Sequence, residues 1–321
     1  MKAIQIAEDK SLYWGDFDDP AVGENDVLIR VAATAINRAD LVQRTGGYPP
    51  PPGASPVLGL ECAGEVVETG SACTRFKAGD QVCALLPGGG YAEYAAVDEG
   101  SVLPVPSGLT VSEAAGIPEV FATAWLNLFM EAALKPGESV ILHAGASGVG
   151  TAGIQLCRAF GSETFVTVGS AEKLDVCMKL GAAGGANRHD GPFIEKASAF
   201  APDGADVILD PVGAAYLADN VRLLRLGGRL VLIGLMGGTR AELDLAQMMM
   251  KRLRVIGSTL RARPLSEKAE VMSRLEEKVW PLIEAGQIQV IVDQTFEIAN
   301  ASDAHDLVAS DQTVGKVILT L

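Results

Sequence analysis

Short runs in which apolar and polar residues trade places every second position dominate the first hundred residues, with Val27, Ile29 and Val31 on one face of the first clear run. Similar runs follow at 62–69, 81–85 and 91–97, separated by Gly79-Asp80 and by Gly88-Gly89-Gly90. A period of two bounded by glycine and aspartate describes antiparallel strands joined by turns. The segment therefore predicts a small, barrel-like, all-β lobe.

The pattern changes after Ser112, where a helical stretch is expected over 112–134 with Pro118 breaking it. Beyond Pro136-Gly137, continuously apolar strands alternate with helices: strand 139–143 and helix 149–160, strand 163–168 and helix 171–180, strand 205–209 and helix 214–226, then strands 229–233 and 254–257. Strands apolar on both faces and followed by helices predict a parallel sheet covered on both sides. An amphipathic helix is expected over 266–285 and a closing strand over 316–321, which returns to the first lobe. The fold class is α/β, with one domain from 1–120 plus 261–321 and a second from 121–260.

Composition narrows the function. The 321 residues are 48% hydrophobic and 21% charged, enough to bury two cores without disordered tracts. With 26 basic against 40 acidic residues the net charge is −14, which repels nucleic-acid backbones and anionic lipid. Cys62, Cys73, Cys83, Cys157 and Cys177 are odd in number and scattered, as reduced thiols of a cytoplasmic protein are. No apolar stretch reaches the roughly 18 residues of a membrane span, and the N-terminus reads as no signal peptide.

The strongest chemical signal is SVILHAGASGVGTAGIQL, a buried strand, a glycine-rich turn and an apolar-faced helix. Such a turn presents backbone N–H groups and the positive end of a helix to a pyrophosphate. Two registers compete: Gly148, Gly150 and Gly153 match GxGxxG, whereas Gly145, Ser147 and Gly150 suit a strand ending at His143 or Ala144. Either places Gly148, Val149 and Gly150 at the phosphates. Ser147 is not the nucleophile of a GxSxG elbow, because Val149 stands where its last glycine belongs, and three histidines leave little for a Ser/His/Asp triad.

An acidic residue at the end of the second strand would hold an unphosphorylated ribose, but TFVTV ends in Gly169-Ser170. Ser170, Lys173 and Arg188 can surround a 2′-phosphate, so NADPH is the expected cofactor. The alternative is that Lys173 pairs with Glu172 or Asp175 in solvent, and Glu172 would weaken a phosphate's hold.

The segments AATAINRADLVQRTGGYPPPPGASPVLGLECAGEV, KAGDQVCALLPGGGYAEYA, PEVFATAW, HAGASGVGTAGIQL, GLMGG, TLRAR and VGKVIL span essentially the whole chain. Together they resemble the quinone-oxidoreductase branch of the medium-chain dehydrogenase/reductase superfamily, especially its p53-inducible quinone-oxidoreductase-like group. The resemblance implies a GroES-like catalytic domain, a Rossmann domain with NADPH in the cleft between them, and a homodimer. It implies that Asn37, Tyr48 and Thr123 lie near nicotinamide and substrate, and that Gly145, Ala146, Ser147, Gly148, Val149 and Gly150 take the pyrophosphate. Leu235, Met236, Gly237 and Gly238, with Leu260, fall on the nicotinamide side, and Lys316 of the closing segment is counted with the cofactor contacts. Arg188 stands where relatives usually carry tyrosine. The zinc members' Gly-His-Glu segment is represented by Gly59-Leu60-Glu61, their cysteine ligand falls near 37–40, and their four-cysteine lobe is replaced by Gly88-Gly89-Gly90-Tyr91. The resemblance is thus to zinc-free members, since a catalytic zinc needs about three protein ligands.

Without a Lewis acid the acceptor must already be electron-poor, which quinones and α,β-unsaturated carbonyls are. The expected activity is direct hydride transfer from NADPH to such a small molecule, with Asn37 toward the oxyanion and Tyr48 or water as proton source. Two other readings stand beside it: an enoyl-thioester reductase, with Arg261 and Arg263 at a basic entry, and a non-catalytic NADPH-binding protein. Met248, Met249 and Met250 suit a packing or dimer surface, His143 a structural role, and His189 and His305 show no partner in the sequence.

Overall fold

A computed structural model describes residues 1–321, which separate into two compact units: Met1–Ala122 with Leu260–Leu321, and Thr123–Thr259.

The first unit is built on strands β1 (Lys2–Ile6), β2 (Leu12–Asp16), β3 (Asp26–Ala35), β4 (Glu61–Thr69), β5 (Gln81–Leu85), β6 (Tyr94–Asp98) and β7 (Val102–Pro104). In β3, Val27, Ile29 and Val31 are buried while Arg30 is exposed, and the alternation gives way to a fully buried run at Ala33–Ala35. Irregular register between Leu28 and Ile29 and between Val31 and Ala33 bends the strand. Its first half pairs β6 (Val27↔Val97) and its second half pairs the C-terminal strand (Ile318↔Ala35). The buried end of β3 leads directly into Asn37 and the short helix Arg38–Arg44.

The second unit contributes β8 (Ser139–Leu142), β9 (Glu163–Val168), β10 (Gly184–Asn187), β11 (Ala205–Asp210), β12 (Leu224–Leu232) and β13 (Arg254–Gly257). They form one parallel sheet in the order β10-β9-β8-β11-β12-β13, with β9 and β11 buried almost throughout. Sequence order reverses between β8 and β11, and in such sheets ligands bind outside the carboxyl ends of the strands at that reversal. The chain then re-enters the first unit, adding β14 (Val292–Glu297) and β15 (Lys316–Thr320), so that its larger sheet runs β14-β15-β3-β4-β5-β7.

Three expected helices differ. The 112–134 stretch resolves into Val111–Ala114 and Pro118–Trp125, then widens over Leu126–Glu131, where the Ala132 N–H reaches back to the Asn127 carbonyl. The 214–226 helix spans only Leu217–Leu223, because Leu224 turns extended and opens β12. The 266–285 helix divides at Val279 into Leu265–Lys278 and Trp280–Glu284, since Pro281 has no N–H with which to continue the first. No helix is long and apolar enough to cross a membrane.

Candidate active site

In the second unit β8 ends at Leu142 and the helix Gly148–Ala159 begins six residues later, capped by Ser147, whose Oγ accepts the Gly150 N–H at 3.1 Å. That resolves the register. A methyl group on Gly145 would stand 2.6 Å from Val166 Cβ, and one on Gly150 would stand 2.4 Å from the Gly145 carbonyl, whereas at Gly153 the nearest atom is 3.2 Å away. Gly145 and Gly150 are the glycines that the tight turn demands. Ser147 is a helix cap, and the first-turn N–H groups of Gly148 and Val149 lack acceptors within the helix. A diphosphate fits this arrangement of donors.

Beyond β11, the Pro211–Gly213 loop is held by Asp210, whose Oδ1 accepts the Val212 and Gly213 N–H groups at 2.6 and 3.1 Å while Oδ2 accepts Asn220 Nδ2. The Met236 and Gly237 N–H groups donate to the Pro211 and Val212 carbonyls, fixing the predicted nicotinamide loop. Leu235 and Met236 project from it, both about half exposed. His143, between Thr167 Oγ1 and Asn220 Oδ1, is a buried structural residue. Thr123 gives its carbonyl to Asn127 Nδ2.

At the end of β9, Ser170 caps the helix Ala171–Leu180, accepting the Lys173 N–H at 3.3 Å. A methyl group on Gly169 would stand 3.7 Å from Arg188 Nε and Nη2, so this arginine lies along the glycine. Glu172 also reaches Ser170: its carboxylate is held below the usual range by its own N–H and by the Ser170 hydroxyl.

The first unit gathers a second polar group. Asn37 Nδ2 donates to Glu61 Oε1 at 2.8 Å and, more loosely, to the Ala35 carbonyl; Asn37 Oδ1 accepts from Lys316 Nζ at 2.7 Å. Lys316 Nζ also donates to the Ile36 carbonyl and lies 2.8 Å from Glu61 Oε1, so the lysine counted with the cofactor is engaged on three protein oxygens. Glu61 Oε2 accepts the Glu119 N–H. Asp40 is buried beneath, accepting from the Asn37 and Gly59 N–H groups and the Tyr91 hydroxyl. Burial lifts its carboxyl to about 6 against the pull of those N–H groups and Lys316. Burial, and next the Glu61 charge, lift Glu119 to about 8.

His305, without a partner in the sequence, is buried with Nε2 3.1 Å from the Tyr91 hydroxyl, and burial drops its pKa to about 3. Tyr48 is half-buried under Arg261, whose guanidinium carbon sits 5.3 Å from the ring centroid. Leu260 is buried beside it in sequence. From the sequence alone Asp40, Glu61 and Glu119 have no site role, and Arg261 only one at a basic entry, because most of their partners lie tens to hundreds of positions away. Gly59-Leu60-Glu61, noted only as a lost zinc segment, was the one signal pointing to the cluster.

Residues 23–107 match the alcohol dehydrogenase GroES-like domain and residues 148–277 match the zinc-binding dehydrogenase domain. The rat quinone oxidoreductase is 31% identical over 328 aligned positions, covering 100% of this chain and 98% of that protein. Among solved structures, the quinone oxidoreductase of Thermus thermophilus, determined alone and with NADPH, is 31% identical with a TM-score of 0.85 over 100% of both chains. An NAD-dependent alcohol dehydrogenase is 27% identical with a TM-score of 0.86, also over 100% of both. The chain belongs to the medium-chain dehydrogenase/reductase superfamily of oxidoreductases, with quinone oxidoreductases among its relatives.

Proposed function

We propose that the protein is an NADPH-dependent reductase of quinones and similar conjugated carbonyls that works without zinc. The observation that carries this reading is the buried Lys316 ammonium 2.8 Å from Glu61 Oε1. A resident cation already compensates the carboxylate of the Gly59-Leu60-Glu61 segment, and its second oxygen is taken by the Glu119 N–H. No group of three or more His, Cys, Asp or Glu side chains is arranged to hold a metal ion. An acceptor whose own conjugation spreads the incoming charge suits such a site.

Ser147, Gly148, Val149 and Gly150 would hold the diphosphate, and Ser170, Lys173 and Arg188 the 2′-phosphate. When bound, the reduced nicotinamide supplies the hydride. The NADPH preference rests on the Gly169-Ser170 strand end, which carries no ribose-binding acid of its own, and on the arginine alongside it, with Glu172 at Ser170 working against it. Asn37 serves as a positioning residue, because its amide is committed to Glu61 and the Ala35 carbonyl. The exposed Leu245, Met249 and Met250 suit contact with a second copy in a cytoplasmic homodimer.

The test is NADPH oxidation against a panel: 9,10-phenanthrenequinone, an enone, crotonyl-CoA and a simple ketone. Turnover with the quinone and enone, far above that with the thioester and ketone, is expected. Preference for crotonyl-CoA would make the protein an enoyl-thioester reductase. Stabilisation by NADPH without turnover of any acceptor would make it a binding protein.

A further inference from the structure

Arg261 is a buried arginine whose hydrogen bonding is incomplete. It is 4% exposed; Nε donates to the Pro87 carbonyl at 2.7 Å and Nη1 to the Tyr48 carbonyl at 3.3 Å, while Nη2 is buried with no partner. A desolvated guanidinium edge left unsatisfied is costly, and such an edge is retained where something other than the protein completes it. Gly88 lies against it without a side chain: a methyl group there would stand 3.4 Å from Nη2 and only 2.5 Å from the Ser55 carbonyl, so no larger residue fits beside the guanidinium. One flank is the face of the Tyr48 ring. The buried Lys268 ammonium, lowered by burial, feels both Glu119 and Arg261, and Glu119, near enough to both cations to act on them, keeps its proton to about pH 8. At neutral pH this corner of the first unit therefore carries two cations beside a protonated Glu119, with the Asp40 carboxylate also acting on Arg261. Such a site suits an oxygen that is electron-rich at rest and becomes more so during reaction.

We infer that Arg261, through Nη2, binds the carbonyl oxygen of the acceptor, with the Tyr48 ring as the wall against which a flat conjugated acceptor lies. This rests on the reductase reading and supplies the oxyanion donor that Asn37, already committed, does not. As hydride adds to a quinone, two electrons and one proton enter the acceptor, one oxygen becomes anionic, and Nη2 holds that oxygen until a proton from solvent completes the hydroquinone. The Tyr48 and Pro87 carbonyls hold the other edge of the guanidinium, so the donor is in place before the charge develops.

The experiment uses the full-length protein with NADPH present and the variants Arg261→Met and Arg261→Lys. Both should retain the wild-type NADPH dissociation constant, read from nicotinamide fluorescence. Arg261→Met should lose about 100-fold in kcat/KM for phenanthrenequinone, the usual cost of removing one oxyanion donor, with partial rescue by added guanidinium. Benzoate, a flat carboxylate probe, should compete with the quinone in the wild type and fail to bind Arg261→Met. A kcat/KM within about threefold of wild type, together with unchanged benzoate binding, overturns the inference. If the wild type turns over no acceptor, the reductase reading falls, and calorimetric titration of benzoate still decides the arginine: saturable binding lost in both variants supports it, and no binding to the wild type overturns it. If Arg261→Met does not fold, Arg261→Lys and benzoate binding to the wild type carry the same decision.

Discussion

Lys316 Nζ stands 2.8 Å from Glu61 Oε1, the two side chains 4% and 0% exposed, although 255 positions separate them in sequence. The pair couples the closing strand β15 to the start of β4, and Asn37 completes it from the end of β3. A buried pair is costly to leave half made. Lys316→Met should lower unfolding free energy by about 3–5 kcal/mol, measured by urea denaturation, and adding Glu61→Gln should recover part of the loss. Additive losses in the double variant would show that the two charges do not compensate each other.

Glu119 makes stability depend on pH in a defined sense. In the folded chain it keeps its proton to about pH 8, whereas unfolded it releases it near its ordinary 4.5. The stabilisation is complete below pH 4.5 and drains away as pH rises to 8. Asp40 acts in the same direction between 3.8 and about 6. Between pH 6 and 8 the thermal midpoint of wild type should therefore fall relative to that of Glu119→Gln, whereas parallel curves would mean that Glu119 ionises normally.

The proposed preference for NADPH rests on the strand end at Ser170. Glu172 engages the Ser170 hydroxyl and so places a negative charge beside a residue proposed to hold the 2′-phosphate. Glu172→Ala should tighten NADPH binding by about tenfold, on the scale of one charge-assisted hydrogen bond, and leave NADH binding unchanged. Ser170→Asp, which keeps a capping side chain but adds a carboxylate, should reverse the preference. Fluorescence titration of both coenzymes checks this, and equal gains for NADPH and NADH in Glu172→Ala would remove the 2′-phosphate from the explanation.

The glycine turn was legible because its cause is local: Gly145 and Gly150 are required by atoms within their own strand–turn–helix unit and the adjoining β9. The parallel sheet itself, though not its strand order, followed from strands apolar on both faces. By contrast β10, with the sequence Gly-Gly-Ala-Asn, has almost no strand propensity and exists through its pairing with β9, where a side chain on Gly185 would meet Leu174 and Val166. Helix ends were misplaced where Pro281 lacks the N–H to continue a helix and where Leu224 turns extended to pair with β11. The polar cluster was least legible. Asp40, Glu61, Tyr91, His305 and Lys316 meet only when five separate segments assemble, so no spacing announces them. The unbonded edge of Arg261 could be found only by following every donor to its acceptor.

Metal content gives a separate check on the polar cluster. Protein purified without added metal and dialysed against a chelator should contain no stoichiometric zinc by mass spectrometry and should keep its quinone turnover. One zinc per chain, lost together with activity, would mean that Glu61 exchanges Lys316 for a metal.

Oxidation of NADPH by phenanthrenequinone on chelator-treated protein, compared with NADH under the same conditions, tests the central claim most directly. The account predicts sustained turnover with a kcat/KM for NADPH at least roughly tenfold above that for NADH, the margin of one well-made phosphate contact. Turnover that appears only when zinc is restored, or a preference for NADH, would contradict it.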